Sequence, residues 1–167
     1  HQFNVQQFVL EEMVRNGAML QKMTLIQVDS LGQSQQVPVD ILSPAAYPFE
    51  VTDSLGVFLT KLQWEDRDVP GRTTTLIRNR RYYGKKPCPC YKPNELCVQF
   101  QLRELVSTDE VGVQELEYGG VEHYAKGVGR VHYRKEISED LVIEYQLARR
   151  YTMQEFETVF GKILQAK

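Results

Sequence analysis

The chain has 167 residues, 42% hydrophobic and 25% charged, with 11 Gly and 7 Pro. That is one ordinary domain of globular sequence, and it excludes disordered, collagen-like and linker-dominated readings. With 20 Lys+Arg against 22 Asp+Glu the formal charge is −2, so no global field favours nucleic acid or an anionic membrane, and neither partner is expected.

In chain order, the first expected element is a short amphipathic helix over about 4–15. Asn4 can cap it, Gln7 follows three residues on, Val5, Phe8, Val9 and Met13 recur on one side, and Gly17 stands as a stop. From about 19 to 151 the period falls to two, which marks strands with one buried face. The clearest alternations are Leu141, Ile143, Tyr145, Leu147 and Val98, Phe100, Leu102. Further strands are expected over 19–29, 37–42, 57–63, 72–83, 111–118 and 128–137, separated by turn residues such as Asp29-Ser30-Leu31-Gly32 and Val69-Pro70-Gly71. No helical pattern lies between consecutive strands, so antiparallel pairing is expected rather than parallel crossovers. A second helix is expected over about 153–165. Thr152 and Glu155 form its capping box, and Met153, Phe156, Val159, Phe160, Ile163 and Leu164 form its apolar stripe.

The expected fold is therefore mainly β: a single domain over 1–167, built as a curved antiparallel sheet or incomplete barrel of roughly seven to nine strands with short terminal helices. The C-terminal stripe predicts a helix lying on the sheet, burying Phe156, Phe160 and Leu164 and filling its concave face.

Cys88, Cys90 and Cys97 match neither paired C-x-x-C zinc spacing nor a redox C-x-x-C. Pro87, Pro89, Pro93 and Gly84 place them in a loop between two strands. A disulfide from Cys88 or Cys90 to Cys97 is favoured there, ahead of free thiols and of a soft-metal site completed by His123 or His132. A copper brace at His1 is weighed and set below an accident of processing. No transmembrane segment is expected, since every apolar run falls short of the roughly 18–20 residues required. The chain opens on His1 rather than Met, so any signal peptide is expected to have been removed.

Between Gly71 and Pro93 the charged residues are all basic, among them Arg78, Arg80, Arg81, Lys85 and Lys86, with Tyr82, Tyr83 and Tyr91 interleaved. A polyanion surface uses this pattern. A solvated edge strand uses it more often and is preferred here, with Glu104, Asp109, Glu110, Glu115, Glu117 and Glu122 in later strands available for cross-strand pairing. No paired-carboxylate motif or G-x-S-x-G elbow occurs, and Gly127-Val128-Gly129 lacks the helix that a phosphate loop requires. No enzyme activity and no cofactor are expected.

The segment His123-Tyr124-Ala125-Lys126-Gly127-Val128-Gly129-Arg130-Val131 resembles the glycine signature of TapB-like bacterial envelope proteins. Gly17-Ala18-Met19-Leu20, Tyr47-Pro48-Phe49, Asn79-Arg80-Arg81 and Cys97 fall in the same order, so the resemblance spans about 17–150. The family's Thr-Pro-Ala-Gly-Thr-Phe stretch before that cysteine is replaced here by the proline and cysteine insertion. The resemblance implies a curved antiparallel sheet of exported proteins with no catalytic residues.

The expected function is that of a non-catalytic exported envelope protein, structural or binding an apolar ligand or another envelope protein, in the periplasm or at the cell surface. Val98, Phe100, Leu102, Tyr145 and Leu147 would line the binding face. The alternative is a metal or redox protein working through Cys88, Cys90 and Cys97.

Overall fold

The computed structural model describes residues 8–28, 33–45, 51, 55–66, 69–88, 91–92, 94–109 and 112–164. His1, Asn4 and Cys90 lie outside them. Two antiparallel sheets form, joined in sequence through Val39. The first contains β1 (Phe8–Asn16), β2 (Met19–Val28) and β3 (Ser34–Pro38) in that order. The second contains β4 (Asp40–Pro44), β5 (Val57–Glu65), β6 (Thr73–Pro87), β7 (Leu96–Asp109), β8 (Val113–Ala125), β9 (Gly129–Glu136) and β10 (Val142–Gln146). These pair strictly in sequence order, and β4 and β10 form the two edges, so the sheet is open.

The expected N-terminal helix is corrected: residues 8–16 are a strand. Phe8–Asn16 pairs in register with Met19–Val28. Gly17, read as a helix stop, supplies instead the positive φ of 58° that opens a two-residue hairpin turn. Pairing with an apolar neighbour strand overrides a short helical period, because isolated helices of that length are marginal.

β2 and β3 pack on one end of the large sheet, where Leu20, Met23, Leu25 and Val37 meet Leu62 and Leu76, with Val39, Ile41, Trp64 and Val106 at the margin. Further along β5 to β8, the rings of Phe58, Tyr82 and Tyr124 each meet Phe100 edge-on at about 6 Å. Between these apolar clusters, on the same sheet face, lie buried charges. Arg78 Nε bonds Glu104 Oε2 at 2.5 Å, and Lys135 Nζ bonds the other Glu104 oxygen. Arg80 Nε bonds Glu122 Oε2 at 2.6 Å, Arg130 Nη1 bonds Glu122 Oε1 at 3.3 Å, and Arg80 Nη1 donates to Thr60 Oγ1 at 2.8 Å. Gly120 is the residue of β8 directly opposite Lys135. Its missing side chain leaves the path along which Lys135 reaches β7.

β9 meets β8 only from Gly119 to Ala125. Over Val113–Tyr118, β8 therefore has β7 on one side and no strand on the other among the described residues.

The C-terminal helix α1 (Met153–Leu164) starts at the expected capping box: the Glu155 amide donates to Thr152 Oγ1 at 3.2 Å, and the Thr152 amide donates to Glu155 Oε2 at 2.8 Å. Its expected docking on the sheet is corrected. Met153 and Val159 are 69% and 58% exposed, and α1 makes no extended contact with any strand among the described residues. Its rings pack locally instead, Phe156 on Phe160 at 4.8 Å and Phe160 edge-on to Tyr151 at 5.7 Å. The side chain of Leu164 is outside the described set.

Candidate functional site

After β10 the chain does not turn back onto the sheet; residues 147–151 run on past the start of β9, held at first by the Leu147 amide donating to the Val131 carbonyl at 2.9 Å. A cleft of about 350 Å3 opens between this segment and β9, a size suited to a small ligand. Its walls carry Tyr133 from β9, Tyr145 from β10 and Tyr151 from the exit segment, with Arg130 and Arg149 beside them. Val131, His132, Gln146, Leu147 and Ala148 complete the lining, which contains no Asp or Glu.

Pairing sets this arrangement. Tyr145 lies opposite Tyr133 in the antiparallel register, and their rings stand 5.9 Å apart, tilted by 32°. The Arg130 guanidinium sits 5.0 Å over the Tyr133 ring, and that of Arg149 sits 4.7 Å over Tyr151. Phe160 of α1 backs Tyr151, so the helix helps to place a wall of the cleft. Burial, together with the nearby Glu104 carboxylate, pushes the Tyr133 phenol well above its usual value, so it stays a neutral hydroxyl donor.

Behind the cleft, His132 turns toward the opposite sheet face. His123 and His132 are paired residues of β8 and β9, both buried, and their Nδ1 atoms are 3.0 Å apart. His132 Nε2 lies 2.7 Å from Glu144 Oε1. Burial first, then the charge of His132, lower the His123 pKa.

The expected site residues separate. Tyr145 and Leu147 line the cleft. Val98, Phe100 and Leu102 are core residues, almost wholly buried, so the placement of a binding face over them is corrected. β7 is sandwiched between β6 and β8, and its apolar side chains find their partners inside the fold.

Cys88 and Cys97 are joined in a disulfide, with Cα atoms 5.1 Å apart, packed beside Ala125 and Val131. Neither is then a thiolate available to a metal. Among the described residues no group of three or more His, Cys, Asp or Glu is arranged to hold a metal ion.

The basic stretch also divides. Arg78 and Arg80 point inward onto Glu104 and Glu122, while Arg81, Lys85 and Lys86 are exposed. β6 is a central strand rather than an edge. The common surface patch and the solvated-edge reading are both corrected, because the acids of the neighbouring strands fall on the same face as the two arginines.

The sequence reading missed Arg130, Tyr133, Arg149 and Tyr151 as a group. A signal was present: from Tyr145 to Gln154 the chain holds two Arg and two Tyr and no acid.

Comparison with protein-family models, with curated proteins and with solved structures finds no match to this chain.

Proposed function

We propose that the chain is a non-catalytic, exported envelope protein akin to the TapB-like family, working as a ligand-binding module in an extracytoplasmic compartment. Its sheet is a curved, incomplete barrel, and its binding site is the cleft at the β9–β10 edge. The observation that carries this reading is the convergence of Tyr133, Tyr145 and Tyr151 with Arg130 and Arg149 on one open cavity. Aromatic walls with a few placed polar groups are the usual composition of small-molecule sites. The compartment is supported by the Cys88–Cys97 bond, since such bonds persist where the surroundings are oxidising. The glycine signature that carries the family resemblance forms the β8–β9 hairpin beside the cleft, with Gly127 and Gly129 at φ 71° and 109°.

A fragment screen read by backbone amide NMR tests the site. Shifts confined to 130–133 and 145–151 support the reading. A broad screen that leaves those amides unmoved removes it.

A further inference from the structure

We infer that the ligand of this cleft is a small molecule bearing a carboxylate, or an equivalent anion, on a ring with an apolar face. This rests on the binding reading above and narrows it to a chemical class.

The first observation is charge. The chain as a whole is slightly acidic, yet the cleft lining holds two guanidiniums and no carboxylate. Among the described residues no acid pairs with Arg149, whose contact is the face of Tyr151. Arg130 shares the Glu122 carboxylate with Arg80 and lies over Tyr133. A guanidinium held over an aromatic ring is already restricted, so less freedom is lost when its planar fork takes a carboxylate. The lining itself offers a cationic ligand no carboxylate.

The second observation is shape. Tyr145, 62% exposed, presents its ring to the cleft with the buried Tyr133 ring beside it, and Leu147 adds an aliphatic surface. A flat ring of the ligand stacks on such a wall, and the cavity of about 350 Å3 accommodates one ring or a fused pair. Two sources supply this chemistry: a free aromatic acid, or an acidic sugar whose apolar ring face lies on a tyrosine.

The test is calorimetric titration of the purified full chain with 2-naphthoate, its uncharged analogue 2-naphthamide, and glucuronate. We expect 2-naphthoate to bind at least about 10-fold tighter than 2-naphthamide. We expect Arg149→Gln, a change at an exposed residue, to reduce that preference to roughly 3-fold or less while leaving the melting temperature in place. Displacement of 2-naphthoate by glucuronate at lower concentration assigns an acidic sugar; failure to displace assigns an aromatic acid. If the amide binds as tightly as the acid, or if Arg149→Gln keeps the full preference, the anion inference falls while the cleft remains a binding site. If neither 2-naphthoate nor glucuronate binds, the inference falls, and the fragment screen then decides separately whether the cleft binds anything.

Discussion

Nδ1 of His123 lies 3.0 Å from Nδ1 of His132, with the other nitrogen of His132 on Glu144. A carboxylate only accepts, so His132 donates from Nε2, and a single proton lies between the two Nδ1 atoms. Placing a proton on both would set two donors face to face. Burial first, and then the charge of His132, lower the His123 pKa, so the folded state resists protonation of His123.

The pH dependence follows. The unfolded chain takes up the proton near the ordinary histidine value of 6.5, the folded chain at lower pH. Stability from this group is full above 6.5 and declines as pH falls from there toward the depressed value, with a slope of up to about 1.4 kcal/mol per pH unit. Urea unfolding at pH 8, 7, 6 and 5 measures it. His123→Gln should flatten the profile between pH 6.5 and 5; an unchanged slope would show that other groups set it.

Glu122 has the opposite dependence. Burial works to raise its carboxyl, but Arg80, Arg130 and Arg78 together hold it at about 2. Its stabilising contribution is present above the ordinary value of 4.5 and is lost as pH falls through about 2. Glu122→Gln leaves Arg80 buried beside a neutral amide and should cost about 3–5 kcal/mol by denaturant unfolding. Carboxyl 13C titration should find Glu122 ionised at pH 3; a midpoint near 4.5 would contradict the ion cluster.

A Cβ at Gly120 would run into the carbonyl oxygen of Arg134, whereas one at Gly119 would meet only the flexible Glu136 carboxylate, at 3.9 Å. Gly120→Ala should therefore cost roughly 2–4 kcal/mol and Gly119→Ala less than about 1 kcal/mol. Equal melting temperatures for the two variants would refute the close approach of β8 and β9.

Reduction should remove the clip formed by Cys88 and Cys97, which are nine residues apart in sequence. Closing a loop of that size is worth about 2–3 kcal/mol through the unfolded chain. Thiol titration of the denatured, unreduced protein should find one thiol per chain, that of Cys90. Three thiols would remove the disulfide and, with it, the support for an oxidising compartment.

Much of the large sheet was legible because its strands keep period two with one apolar face, as in Val98, Phe100 and Leu102. The Thr152–Glu155 box was legible because the motif satisfies its own amides locally. The first hairpin was not, since Gly17 serves a helix end and a strand turn equally well and only pairing with β2 decides between them. Arg78 and Arg80 were not placed because a charged residue at every second position reads as a solvent face. Only the register brings Glu104 and Glu122 onto that face and makes it an interior. The cleft escaped for a similar reason, as Tyr133 and Tyr145 belong to different strands and Arg149 and Tyr151 to the segment after them.

β7 is flanked by β6 from Leu96 to Asp109 on one side and by β8 from Val98 to Asp109 on the other, whereas β10 hangs on β9 by five residue pairs at the rim. The two differ in how they trade amide hydrogens with solvent. Amides near Phe100 should exchange only when the whole molecule opens, and those of Ile143 and Tyr145 through brief fraying of the rim. One wall of the cleft is thus the part of the sheet that opens most readily. Occupancy should register first as slowed deuterium uptake in β10, well before it alters the temperature at which the protein melts.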